Sequence, residues 1–146
     1  MKSVFVAILL CLMTIGNGYC QSSYSDGFRG IAWGTSKGDL PDLGLSKKTL
    51  KNIYEKGESA SFLNADRTTL AMEFENVPLI SIFLRFNDAK FYGFDLIFKP
   101  QHGAEVKKGI ATYFSTPGKM IDGEMHWQED GVTAILTDHE LMVSKK

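Results

Sequence analysis

The chain has 146 residues, 23% of them charged and 44% hydrophobic, with a formal net charge of −1 and two cysteines. That length suits one domain with a leader. The near-neutral balance offers neither a basic stripe for phosphates nor an acidic tail, so nucleic acid is not an expected partner.

Residues 1–20 have the three parts of a secretory signal: a basic start at Lys2, an apolar run from Val4 to Met13, and an exit through Gly16, Asn17 and Gly18. The apolar run is too short to span a bilayer, so no transmembrane segment is expected once the signal is gone. Cleavage after Cys20 puts Gly18 and Cys20 at the two positions that must be small; cleavage after Gly18 would use Gly16 instead. Lipid anchoring at Cys20 is the lesser alternative, because Tyr19 departs from the small residue that precedes an acylated cysteine. Removing 20 of the 146 residues leaves 126; it takes away Cys11, Cys20 and Lys2, for a net charge of −2 and no disulfide. The absence of any Asn-x-Ser/Thr acceptor favours a bacterial exported protein, periplasmic or secreted. Such a domain relies on its core, and a chain of this length buries about two-thirds of its unfolded surface.

The polar stretch 21–27 reads as a flexible lead-in, and a single domain is expected over 28–146. Its opening, Phe28-Arg29-Gly30-Ile31-Ala32-Trp33-Gly34-Thr35-Ser36, resembles that of a group of small exported bacterial proteins, mostly of unassigned function. In these, Phe-x-Gly-Ile-x-Trp-Gly-Thr follows the signal peptide. The resemblance implies a helix further along and then a tryptophan-containing hairpin, which Trp127 and Gly131 match. It carries no catalytic residue across.

Ser36 to Asp42 suits a brief helical turn broken at Pro41. Between Leu45 and Ser61 the periods conflict: Leu50, Ile53 and Tyr54 have helical spacing, while Tyr54 to Gly57 suits a strand end, the reading taken here. From Arg67 to Glu75, Leu70, Met72 and Phe74 alternate as in a strand. The centre of the chain is the stretch Leu79 to Phe98. Ile80, Ile82, Leu84 and Phe86 alternate before the Asn87-Asp88 turn, and Tyr92, Phe94, Leu96 and Phe98 alternate after it. A hairpin this apolar needs a cover. Gln101 to Ser115 supplies one, with Val106, Ile110 and Phe114 on one stripe and Pro117-Gly118 as the stop. Met125 and Trp127 then pair across the Asp130-Gly131 turn with a strand from Val132, and a last strand runs from Leu141 to Ser144. Lys145 and Lys146 read as charges that discourage edge pairing. The sum is an α+β domain: a mainly antiparallel twisted sheet of about six to eight strands with one principal helix packed on one face.

No constellation carries chemistry. His102, His126 and His139 lie on separate elements and the mature chain has no thiolate, so no metal site and no cofactor is expected. Gly-x-Ser-x-Gly and phosphate-loop patterns are absent. His126 shares a strand face with Glu124 and Gln128, and a neighbouring carboxylate raises an imidazole pKa; without a converging nucleophile, the wet face of a sheet explains it better. The aromatic inventory leaves Trp33, Phe83 and Phe91, with His126, as the candidate binding residues. Phe83, Phe91 and Ile97 are expected opposite the face of Phe94, so the second face needs another layer, the N-terminal segment or a partner. The preferred function is non-enzymatic binding of an envelope protein, of the inhibitor or immunity type. A small-ligand or lipid-binding module, with a pocket beneath Trp33, and a hydrolase using His126 and Glu124 are the alternatives.

Overall fold

A computed structural model describes residues 24–44, 59–63 and 68–146 of the chain. The expected secretory signal, its expected cleavage site and the conflicted stretch 45–58 lie outside the described residues. Ten strands and one helix are described in chain order: β1 (Gly27–Phe28), β2 (Ile31–Ala32), β3 (Ser59–Leu63), β4 (Glu73–Phe74), β5 (Val77–Asn87), β6 (Lys90–Phe98), α1 (Gly103–Ala111), β7 (Lys119–Ile121), β8 (Glu124–Glu129), β9 (Val132–Leu136) and β10 (Glu140–Lys145). Short 3-10 turns occupy Lys37–Asp39 and Pro100–His102. β1 and β2 form a separate two-stranded hairpin. The other eight strands make one sheet in the order β3-β5-β6-β10-β9-β8-β7, with β4 also paired to β5. All of its pairings are antiparallel, which makes the domain α+β as its periodicities require.

Five two-residue connections turn the chain through left-handed backbone: Arg29-Gly30, Glu75-Asn76, Asp88-Ala89, Asp122-Gly123 and Asp130-Gly131 all have positive φ. Mirror-image turns of this kind match the right-handed twist of the strands they join. Only three of the five contain glycine, the one residue that adopts this conformation without steric cost.

The core lies on one face of the sheet. Ile82, Leu84 and Phe86 on β5, Phe94, Leu96 and Phe98 on β6, Leu141 and Val143 on β10 and Trp127 on β8 are all at most 3% exposed. Val106 and Ile110 of α1 are fully buried against this layer and Phe114 follows at 8%. Each large apolar side chain so buried contributes roughly 1.5–3 kcal/mol. The helix is shorter than its stripe. It ends at Ala111, where the Thr112 hydroxyl and backbone N–H both donate to the Gly109 carbonyl, so Phe114 packs from the turn beyond.

Two irregularities correct the expected faces of the central hairpin. A bulge between Leu79 and Ser81 leaves Ile80 44% exposed and brings Leu79 into the core in its place. A second, where Arg85 pairs with Gly93 but Phe86 pairs with Phe91, ejects Tyr92 and turns Phe91 inward at 1% exposure. A bulge adds one residue to one strand, so every alternating side chain beyond it changes face.

Other expectations shift too. The strand expected over Arg67 to Glu75 is only two residues long in the described part, although Leu70 and Phe74 are buried as their spacing suggests. β7 is an addition, formed by the Asp122-Gly123 hairpin. β10 is not an edge: it lies between β6 and β9, and the Lys145 ammonium donates to the Asp130 carbonyl at 2.5 Å rather than guarding an open strand. Ordered packing also starts before Phe28. Tyr24 is 7% exposed and its carbonyl accepts the Trp33 indole N–H at 2.7 Å, so the expected lead-in is in part core.

Candidate functional site

The motif at the start of the domain is a packing device. Phe28 stacks on Phe94 with ring centroids 3.9 Å apart, and Ile31 is 1% exposed. Trp33 stacks on Phe91 at 5.1 Å and 9°. Gly34 has a φ of 82°, and its N–H donates to the Phe91 carbonyl at 2.8 Å, while the Phe91 N–H donates to Thr35 at 2.9 Å. The segment is thereby laid across the opening of β6. Trp33 and Phe91 end up together on the core side, and Phe91 retains almost no surface. The sequence groups Phe91 with the free face because the Tyr92 bulge leaves no trace in a run of alternating aromatics.

Phe83 and His126 do reach the face opposite the core, and the register joins them in one row. Phe83 stands opposite Asp95, Asp95 opposite Met142, Met142 opposite Ile135, Ile135 opposite His126 and His126 opposite Lys119. The row crosses six strands, a span of about 24 Å at the usual strand spacing of roughly 4.8 Å. Flanking rows run through Ser81, Ile97 and Glu140 on one side and Arg85, Gly93, Ser144, Thr133 and Gln128 on the other. Phe83, Ile97, Met142 and Ile135 are half-buried. The ring contacts of the N-terminal segment and of the segment after α1 go to Phe91, Phe94 and Trp127 on the core face, so among the described residues they leave this face open.

An ion pair sits within the apolar centre. Arg85 Nε and a terminal guanidinium nitrogen both donate to Asp95 Oδ2 at 2.7 Å. Asp95 is 5% exposed, and its Oδ1 is buried without a hydrogen-bond partner. Burial pushes its carboxyl up to about 6; the bond and charge of Arg85 oppose that rise and the nearby Glu140 adds to it. Sequence reasoning passes over both residues, although a carboxylate inside the apolar run Phe94 to Phe98 is itself a signal, since an ionisable group is seldom buried without a partner.

His126 Nε2 lies 3.5 Å from Glu124 Oε2. Its cross-strand neighbours are Ile135 and Lys119, so the register brings no hydroxyl nucleophile to it. His102 precedes α1, and His139 pairs with Asp138 at 2.5 Å in an exposed turn, which holds the Asp138 carboxyl below its ordinary range through that hydrogen bond. Among the described residues no group of three or more His, Cys, Asp or Glu is placed to hold a metal ion, and no helix is long and apolar enough to cross a membrane.

The open face continues to an edge. β7 pairs with β8 alone among the described strands, and its Met120 and Ile121 are 63% and 47% exposed. Ile121 stands opposite Glu124 and so belongs to the same face as His126.

No protein family, no curated protein and no solved structure matches this chain. What it can do must come from its own surface. That surface has an apolar middle crossed by a charge pair, a polar margin and, beside it, a strand with one edge unpaired among the described strands.

Proposed function

We propose that this is an exported, non-enzymatic binding protein of the bacterial cell envelope, of the inhibitor or immunity type, which meets a protein partner through the open face of its sheet. The observation that carries the reading is the six-strand row from Phe83 to Lys119, apolar at Met142 and Ile135 and without a described covering layer. Three rows deep, it covers on the order of 350 Å² of flat area, somewhat under half of the roughly 800 Å² each partner contributes to a standard interface. The exposed Ile121 of β7 extends it on the same face, and an edge unpaired among the described strands offers backbone hydrogen bonds to an extended segment. Export rests on the signal-like first 20 residues.

The test is capture from bacterial envelope extract with the wild-type protein and with Ile135→Lys. Ile135 is half-buried on this face and outside the core, so the variant should keep its fold. A stoichiometric protein retained by the wild type and lost by the variant is expected. A partner retained equally by both, or no partner from any extract, refutes the assignment to this face.

A further inference from the structure

The ion pair in the apolar centre of the open face is lopsided. Arg85 brings two nitrogens to Asp95, yet both donate to Oδ2 at 2.7 Å, where an arginine fork commonly gives each carboxylate oxygen its own bond. Oδ1 is left buried with no hydrogen-bond partner, the one side-chain atom among the described residues in that condition. The side chain that carries it is 7% exposed. An acceptor desolvated in this way gains from any donor brought to it.

The surroundings favour a cation as that donor. Met142 stands opposite Asp95 on β10, and Glu140 lies two residues before it on the same face, opposite Ile97. Diagonal neighbours of this kind across an antiparallel pair are about 7–8 Å apart. Glu140 is near enough for its charge to act on Asp95, and Arg85 is the cation that opposes it. Two carboxylates against one guanidinium leave this part of the face with a negative excess, which disfavours an anion and attracts a positive group.

We propose that the open face holds a guanidinium site at Asp95 and Glu140, through which the partner protein is gripped by one of its arginine side chains. Arginine suits the site better than lysine, because its planar fork can give one N–H to Asp95 Oδ1 and another to Glu140, whereas an ammonium is a single point of charge. Its stem and flat head pack against Phe83 and Ile97, both half-buried on this face. Met142 stands beside both carboxylates, and its unbranched side chain adapts to an incoming group more readily than a branched or aromatic one. The inference rests on the sheet-face reading for the nature of the partner, and adds the side chain by which that partner is recognised.

The test is a titration of the protein with Nα-acetyl-arginine amide at about pH 7.5, where Asp95 is ionised, read by NMR at the side-chain carboxyl carbons. Nα-acetyl-citrulline amide, of the same shape but uncharged, is the control. The expected result is a saturable shift at Asp95 and Glu140 with the arginine probe and none with citrulline. Asp95→Asn and Glu140→Gln should each weaken the binding roughly tenfold, the loss of one charge-assisted hydrogen bond. Shifts of equal size at the exposed Asp138 and Glu105 would mark general attraction of a cation and overturn the site. Equal binding of the neutral probe, no binding of the arginine probe, or an affinity unchanged in both folded variants would overturn it too. The titration uses no envelope extract, so its failure is distinct from that of the sheet-face reading, which stands or falls on capture with Ile135→Lys.

Discussion

Asp95 gives the sharpest test of the electrostatics of the open face. Its carboxyl rises from an ordinary 3.8 to about 6, because burial penalises the charged form by more than Arg85 recovers. The folded state therefore holds the Asp95 proton more tightly than the unfolded state does, and the cost of ionising it is absent below about pH 4 and complete above about pH 6. At about 1.4 kcal/mol per unit of pKa, the full cost is about 3 kcal/mol, of which about 1.4 kcal/mol develops between about pH 5 and about pH 7.5. Asp95→Asn removes the titration. It also frees Arg85, but that side chain is 38% exposed and can turn to water at either pH, so its loss is a constant. Urea unfolding of both proteins at the two pH values isolates the effect. The stability of the variant relative to wild type should be more favourable at the higher pH by about 1.4 kcal/mol, or roughly 5 °C in melting temperature. A difference that does not change with pH would refute the account of Asp95 as a carboxylate held ionised against its surroundings.

Two further substitutions probe the architecture. Ile110→Asp places a charge at a fully buried position beneath the sheet and should unfold the domain, seen as loss of a cooperative melting transition; an unchanged melting temperature would reject the helix packing. Ala89→Gly should stabilise, because Ala89 has a φ of 61° in the turn between β5 and β6, where a side chain costs roughly 1–2 kcal/mol. Set against the flexibility glycine adds to the unfolded chain, the net gain is about 0.5–1 kcal/mol in denaturant unfolding, and a loss of stability would show that the turn tolerates its alanine without strain.

The reach and limits of the sequence follow from the kinds of interaction involved. Period-two alternation identifies the central hairpin, and helical spacing identifies Val106 and Ile110 as the roof, because both patterns are local. Bulges are not local in this sense. Ile80 is as apolar as Ile82, and Phe91 as aromatic as Tyr92, so nothing in composition marks the residue that drops out of register, and the faces shift by one. Of the candidate binding residues, Phe83 and His126 therefore reach the open face, whereas Phe91 and Trp33 stack together on the other. The Asp130-Gly131 turn is legible, and Asp122-Gly123 carries the same signal, yet β7 is missed because its three residues are too few to display a period. The Tyr24 and Tyr113 pair brings together residues almost ninety positions apart, through the stacking of an N-terminal segment against the turn after α1. Nothing in either segment alone predicts it.

The central place of β10 governs when the fold can close. Among the described strands, β3, β5 and β6 form one paired group and β7, β8 and β9 another, and the two are joined through β10 alone. Its partner Leu96 on β6 lies far back in the chain from Leu141, so joining them closes a long loop before any contact across the seam compensates. A chain delivered N-terminus first thus holds two half-sheets, each with an open edge on β6 or β9, until its last strand emerges. Cutting away residues 140–145 would not trim the sheet but divide it. The interval before that strand docks is when the chain remains threadable, and when its unpaired edges are most exposed to pairing with another chain.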